Sequence, residues 1–452
     1  MARTVALGDR APLARFELNP AQTIIVGFAA IILVGASLLT LPIASAAGQS
    51  TPFLTALFTA TSAVCVTGLV VVDTATHYSL FGQLIILALI QLGGLGYMTA
   101  ATLMALIVGR RVGLRERIML QEANNLYTMG GVVRFTRNVV LITAGIEALG
   151  AVLLSLRFIP QMGVGRGVYF AVFHSISAFN NAGFDLMGGF RSLTAYAQDL
   201  PVNLIVAALI IVGGLGFIVL TDIGFHRRRL SLHSRIVLTT SGALIALGVA
   251  LIVLLEYSNP GTLEPLAPLQ RLLAAFFQSV TPRTAGFNTV DVGQLREPTL
   301  MLLIALMFIG ASPGGTGGGI KTTTFVAPMA VIISMLRGRP DPELFRRRLP
   351  PVVIYKAVTI ALVALAFVVT MGTALSFIDR IDFVPALFEV TSAFGTVGLS
   401  TGITPQLSAA GRVLIMLTIF TGRVGLLTVA FALTRRQQAM NYRFPEERIL
   451  VG

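Results

Sequence analysis

Long apolar runs separated by short polar connections dominate the chain. A helix that crosses a bilayer needs about 20 mostly apolar residues. Runs of that kind predict spans at 21–44, 80–108, 136–158, 201–224, 235–256, 355–378 and 411–434. An eighth begins at 299–309 and continues past a glycine-rich stretch to residue 336. Four shorter apolar pieces lie in the other connections: TPFLTALFTATSAV at 51–64, VYFAVFHSISAF at 168–179, LQRLLAAFFQSV at 269–280 and VPALFEVTSAF at 384–394. Apolar pieces of roughly 10–14 residues are too short to span and typify re-entrant segments. Thr51 and Pro52 predict how the first one starts, with a capping hydroxyl and then Pro at the first helical position.

Composition sharpens this pattern. The 452 residues are 55% hydrophobic and only 12% charged, with a mean hydropathy of +0.84. Soluble domains carry about 25% charged residues, so the chain reads as an integral membrane protein. Its net charge of +13 raises the question of nucleic acid. The basic residues answer it by their places: Arg110, Arg111, Arg115, Arg117, Arg134 and Arg137, then Arg227, Arg228, Arg229 and Arg235, then Arg337 to Arg348, then Arg435 and Arg436. They fall in alternate connections, the positive-inside pattern, which puts those loops and both termini in the cytoplasm. No nucleic-acid partner is expected, and the contact is with membrane lipid. The first twenty residues contain no apolar core of signal-peptide length, so the first span is expected to be retained. Cys65 is the sole cysteine, which rules out an intrachain disulfide. His77, His226 and His233 fall in predicted loops and receive no role.

The four short pieces are copies of one another. Phe58, Phe173, Phe276 and Phe388 each precede a glycine by ten residues: Gly68, Gly183, Gly286 and Gly398. Thr61, Ser62 and Ala63 recur as Thr391, Ser392 and Ala393, and Ser177 and Ala178 keep part of the motif. The pieces align without gaps at a period of about 110 residues, and such repeats set an architecture. The expected fold is an all-α polytopic membrane protein. It has four pseudo-symmetric units of helix, pore helix, filter strip and helix around one central pore, with eight spanning helices. The boundaries follow: a cytoplasmic tail at 1–20, repeat 1 at 21–112, a cytoplasmic linker and repeat 2 at 113–230, repeat 3 at 231–340, repeat 4 at 341–438 and a tail at 439–452.

The strips that follow the short pieces read VCVTGL, NNAGF, RTAGFN and GTVGLS. None holds a paired acid and base or metal-ligand spacing. Non-helical backbone at membrane depth is tolerated only inside protein or along a water-filled cavity. Four such strips around an axis would present carbonyl oxygens to the centre, which is how a potassium filter replaces an ion's hydration shell. The candidate filter residues are Val66, Thr67 and Gly68, Asn181, Ala182 and Gly183, Thr284, Ala285 and Gly286, and Thr396, Val397 and Gly398. Glycine permits the dihedrals that aim successive carbonyls one way. The partial negative charge at each half-helix C-terminus favours a cation there.

The stretch GASPGGTGGGIKTTT at 310–324 packs six glycines into ten residues. It approaches a phosphate-binding loop, but Ile320 stands where the lysine belongs, Lys321 comes one residue late, and an apolar run precedes it rather than a strand. An ATP-using enzyme is therefore a remote alternative. Gly costs about 1 kcal/mol in a helix relative to Ala and Pro about 3 kcal/mol, so this part of the span should be broken. The candidate gate at 310–322 comprises Gly310, Gly314, Gly315, Thr316, Gly317, Gly318, Gly319 and Lys321, with Arg423 level with it in repeat 4. The glycines of GGLGY at 93–97 and GGLGF at 213–217 are expected to serve close helix packing. Two readings of Arg423 stand: a latch on loop carbonyls, or an ion pair with Glu147 or Glu389. Lys321 either offsets cations in the cavity or snorkels to the cytoplasmic face. Glu389 aligns with His174 and Thr59; it either hydrogen-bonds behind the filter or raises cation occupancy.

With one glycine per strip in four repeats, residues of about 20 to 438 resemble the Trk/Ktr/HKT potassium transporter superfamily. Eight spans without added N-terminal helices look most like its Ktr membrane subunits. Repeat 3 departs from the pattern with Pro282 and Arg283 before Thr284. The resemblance implies potassium uptake across the cell (inner) membrane without enzyme activity or an organic cofactor in this chain. It implies an intramembrane gating loop at 310–322 and a latching role for Arg423. Four filter glycines go with potassium selectivity in that superfamily and Ser in the first repeat with sodium, so a sodium-permeable transporter is the alternative. Sodium is implied as an activator or co-transported ion. The implied partners are a second copy in a homodimer and a cytoplasmic ring of nucleotide-binding, RCK-type (KtrA-like) subunits. The basic connectors 109–131 and 337–350 are docking candidates, or simply positive-inside charge against anionic lipid.

Overall fold

The computed structural model describes residues 20–96, 132–225, 230–426, 428, 429 and 447. The linker 109–131, His226, Arg227 to Arg229, Arg435, Arg436 and the tail 439–446 lie outside the described residues, as do residues 1–19 of the N-terminal tail. The first group of helices is α1 (Pro20–Leu39), α2 (Phe53–Val64), α3 (Thr74–His77) and α4 (Leu80–Leu95). The second is α5 (Val132–Met162), α6 (Val164–Phe179), α7 (Leu200–Leu215) and α8 (Phe217–Phe225). The third is α9 (Leu232–Glu256), α10 (Pro268–Val280), α11 (Glu297–Phe308) and α12 (Thr322–Leu336). The fourth is α13 (Pro351–Asp379), α14 (Phe383–Gly395) and α15 (Ala409–Val424).

Local chemistry sets several starts. Ser79, Asp199, Ser231 and Ser408 each accept a hydrogen bond from the backbone amide three residues on, which caps α4, α7, α9 and α15. The expected cap at Thr51 does not form. Helix α2 begins at Phe53 with Pro52 in the cap position, and Thr51 Oγ1 instead meets His77 Nε2 at 3.1 Å. His77 and His233 both lie in helices rather than loops: His77 ends α3, which Asp73 caps, and His233 lies within α9, because Ser231 starts that helix earlier than the apolar run suggests.

Four helices among the described residues are long and apolar enough to cross a membrane: Gln22–Leu39, Thr136–Met162, Leu232–Glu256 and Pro351–Asp379. A fifth is gained if α7 and the segment Phe217–Gly224, bent by 101° at Gly216, form one span. The run 299–336 divides into α11 and α12, and the predicted spans 80–108 and 411–434 are described only in part.

Packing follows a cycle. The long first helices α1, α5, α9 and α13 lie on α2, α6, α10 and α14 respectively. Each second helix also packs on the short helix of the next group: α4 on α6, α7 on α10, α11 on α14, and α15 back on α2. The short helices are thereby the best buried elements, with Phe58, Phe173, Phe277 and Phe388 fully enclosed. In the third group the buried phenylalanine is Phe277, not the Phe276 that a gapless alignment selects. Helix α10 sits one residue out of phase with its counterparts.

One pair of short strands departs from an all-α fold. Glu343–Leu344 (β1) pairs antiparallel with Arg347–Arg348 (β2) within the basic connector 337–350. Phe345 and Arg346 turn the hairpin at positive φ, 49° and 62°, which is the backbone a two-residue loop of matching twist requires.

A carboxylate locks the end of α9. Glu256 is fully buried and accepts from Asn259 Nδ2 at 2.6 Å, Thr262 Oγ1 at 2.7 Å, Thr299 Oγ1 at 2.5 Å and the Arg296 amide at 3.0 Å. It ties α9 to the start of α11. Glu256→Ala leaves four donors without an acceptor. We expect it to cost about 2–4 kcal/mol, read as a lower thermal midpoint in detergent, while Glu256→Gln should lose less.

Candidate functional site

Each short helix ends where a strip begins, and all four strips have the same backbone. Val66, Asn181, Thr284 and Thr396 lie at φ of 50°, 56°, 74° and 50°, and two residues later Gly68, Gly183, Gly286 and Gly398 lie at 91°, 69°, 81° and 95°. The residues between them, Thr67, Ala182, Ala285 and Val397, do not share this region. Alternating left- and right-handed backbone turns successive carbonyls to one side, whereas a regular strand alternates them. Three of the four non-glycine residues are β-branched, for which positive φ is an outlier. Such residues cost about 1–3 kcal/mol each and persist only where their surroundings over-determine them.

The surroundings do so. Ser62 and Ser392 accept the amides of Gly68 and Gly398 on Oγ, both at 3.1 Å, while their carbonyls accept Thr67 N and Val397 N at 2.8 Å. Ser177 uses its carbonyl in the same way for Ala182 N and donates Oγ to Phe184 O at 2.7 Å. In the third strip Thr281 replaces the serine, one position nearer the glycine, and donates to Phe287 O at 2.5 Å. Its carbonyl takes the Ala285 amide at 3.0 Å. The departure at Pro282 and Arg283 is thus a one-residue shortening, absorbed before Thr284, and the glycine register survives it.

The four glycines close a ring. A Cβ added to Gly68 would stand 3.0 Å from Gly183 Cα; on Gly183, 3.1 Å from Gly286 Cα; on Gly286, 3.1 Å from Gly398 Cα; and on Gly398, 3.1 Å from Gly68 Cα. The structure therefore brings together all four predicted strips. A side chain at any of these positions meets both a forbidden φ and a neighbouring backbone.

The glycine loop lies against one end of this ring. Ile309 and Ile320 form a parallel bridge at its neck. Gly317 faces Thr284 and Gly318 faces Thr396, leaving no room for a Cβ at either glycine. Thr316 Oγ1 donates to Asn181 Oδ1 at 3.2 Å and to Phe179 O at 3.3 Å. Several of its amides are committed: Ser312 N to Gly214 O at 3.0 Å, Thr316 N to Gly213 O at 3.2 Å, and Gly318 N to Thr396 Oγ1 at 2.9 Å. Lys321 Nζ turns back to Gly317 O at 2.7 Å. A phosphate cradle needs free amides and a lysine reaching outward; here both bind protein carbonyls or hydroxyls.

Arg423 spans two groups. Its Nη1 donates to Thr316 O in the loop and its Nη2 to Gly93 O at the end of α4. The ion pairs considered from the sequence do not form. Glu147 accepts from Asn180 Nδ2 at 2.8 Å and Gln91 Nε2 at 3.3 Å, and Glu389 accepts from Ser400 at 2.9 Å and from Thr404. Glu389, His174 and Thr59 do parallel work behind the strips: His174 Nε2 meets Leu186 N at 3.4 Å, and Thr59 accepts from Tyr78 OH at 3.1 Å. Each ties a half-helix to the segment that leaves the ring.

The glycines of the second helices do more than the expected close packing. Gly93, Gly213 and Gly422 do press on the carbonyls of Val64, Phe179 and Phe394. Gly96, Gly216 and Gly425, at φ of 78°, 93° and 93°, end α4, α7 and α15. A positive φ cannot continue a right-handed helix, so close packing alone was too narrow a reading. Sequence patterning also passed over the side chains of Asn181, Thr284 and Thr396 as loop contacts; their shared position two residues before each glycine was the available signal.

Several long apolar helices packed around a ring of four glycine strips define a multi-pass membrane protein. The chain belongs to the TrkH family of cation transport proteins, whose family model matches residues 9–443. It is 44% identical to the Ktr system potassium uptake protein B of Bacillus subtilis, over 96% of this chain and 97% of that one. It is 42% identical to the potassium/sodium uptake protein NtpJ of Enterococcus hirae, over 97% and 98%. The crystal structure of the potassium transporter TrkH from Vibrio parahaemolyticus shares the fold at a TM-score of 0.72 and 17% identity, covering 93% of this chain and 86% of that one.

Proposed function

We propose that the chain takes up potassium through the ring, with Val66–Gly68, Asn181–Gly183, Thr284–Gly286 and Thr396–Gly398 as a carbonyl selectivity filter. The closed contact of four positive-φ glycines carries this reading, because it gathers the backbone of all four strips at one place, as a ring of carbonyls around an ion would require. The similarity to named potassium uptake proteins supports the ion. Eight spans in four repeats follow if α7 with α8 and α11 with α12 each count as one crossing and α4 and α15 continue beyond the described residues. The repeats keep the boundaries 21–112, 113–230, 231–340 and 341–438, with both tails cytoplasmic. Sodium enters as an activator or co-transported ion, a reading favoured by the 42% identity to a potassium/sodium uptake protein. The likeness to a Ktr system subunit supports a homodimer on a cytoplasmic nucleotide-binding ring.

Reconstitution of this chain alone into liposomes tests the reading. Potassium-selective flux without ATP is expected, and flux strictly dependent on ATP would overturn it. Sodium added to either side separates activation from co-transport.

The loop 310–322 then acts as the gate, held across the inner end of the filter by Arg423. Arg423→Gln removes two charge-assisted bonds to carbonyls, each worth about 1.5–3 kcal/mol. We expect basal potassium flux to rise several-fold, measured in the same liposomes, and Arg423→Lys to recover part of the closed state.

A further inference from the structure

Three positions before the filter glycines stand Cys65, Asn180, Arg283 and Gly395. All four are buried, and one of them carries a fixed charge. Arg283 is 8% exposed. Its Nη2 donates to Ser241 Oγ at 3.0 Å, and its Nη1 is buried without a hydrogen-bond partner. Among the described residues no carboxylate forms an ion pair with it. It lines a cavity of about 10 Å³ with Ser241, Gly214 and Ile245, which is room for about one water. Its own carbonyl accepts Asn181 Nδ2 at 3.2 Å, so it stands at the loop end of the strips.

A buried guanidinium with an idle N–H is costly, because desolvation is not repaid by a partner. Cys65 and Gly395 stand the same three residues before the glycine in the first and fourth strips and carry no charge there. Unlike Cys65, Asn180 and Gly395, Arg283 adds a fixed positive charge at the loop end of the strips, beside those of Arg423 and of Lys321 on the loop. We propose that Arg283 is a specificity-determining residue whose fixed charge lowers cation occupancy at the inner end of the filter and hastens release toward the gate. The inference rests on the pore reading above.

At an effective dielectric constant of about 20, a unit charge about 10 Å from an ion changes occupancy by about tenfold. Neutralising Arg283 should therefore tighten apparent potassium binding and slow exit. Two variants test this in liposomes containing the full chain, against a conducting wild type. Arg283→Gln removes the charge. Ser241→Asp keeps the guanidinium but places a carboxylate at the Nη2 contact, so it serves even where Arg283→Gln folds poorly. Both should lower the KM for potassium about fivefold and lower the maximal rate with it, while Arg283→Lys stays near wild type. A residue with only a structural role would lower the maximal rate at unchanged KM. That result, or an unchanged or raised KM in Ser241→Asp, overturns the proposal. Wild-type flux is the separate test of the pore, so a conducting wild type with indifferent variants counts against the role of Arg283 alone.

Discussion

Gly68→Ser is expected to lower the potassium-to-sodium permeability ratio by about tenfold, a difference of about 1.4 kcal/mol. Two effects act together. Gly68 sits at φ 91°, where an L side chain is strained. Its Cβ would also stand 2.5 Å from Ala182 O and 3.0 Å from Gly183 Cα, so the neighbouring strip must move. The displaced carbonyl belongs to the adjacent strip, and the disturbance passes to a second strip. Sodium prefers closer oxygens and gains when the ring loses its fixed spacing. Paired potassium and sodium fluxes in liposomes measure the ratio. An unaltered ratio in folded protein would remove Gly68 from the filter.

Deleting Gly314 to Gly318 should raise basal flux by about 100-fold, since the loop is held by several bonds of about 0.5–1.5 kcal/mol and by the stronger Arg423 contact. The deletion removes the Thr316 contacts to Asn181 and Phe179, the Gly318 amide bond to Thr396 and the carbonyl that Arg423 grips. The filter strips keep their own supports, because Ser62, Ser177, Thr281 and Ser392 lie outside the loop. Selectivity should therefore persist while rate rises. Flux that stays low in a folded, potassium-selective protein would show that the constriction lies elsewhere.

Much of this arrangement is legible in the chain. The ten-residue spacing from phenylalanine to glycine locates every strip, and the density of glycine at 310–319 locates the break between α11 and α12. Other features depend on details that periodicity does not carry. Phe276 and Phe277 are equally apolar, so only the burial of one reveals that α10 is a residue out of phase. Gly93 and Gly96 differ in duty through φ, which the letter G does not state. Arg423 reaches backbone oxygens in two distant groups, and acceptors on the main chain leave no mark in a sequence. The hairpin at 343–348 was hidden by a turn of Phe and Arg, residues that rarely adopt positive φ.

The loop meets Asn181 in the second strip, Thr284 in the third and Thr396 in the fourth, and Arg423 fastens it to the first group through Gly93. One loop thus touches three strips directly and is tied to the first group through the arginine. Four identical subunits would present four such plugs to a space that one already fills. Joining the quarters in a single polypeptide frees each copy to diverge, so that the third supplies the loop, the fourth the arginine that holds it, and the first the carbonyl that the arginine grips. On the proposed gate and filter, the barrier can then be released by acting on a single asymmetric element, while the four strips keep their shared backbone.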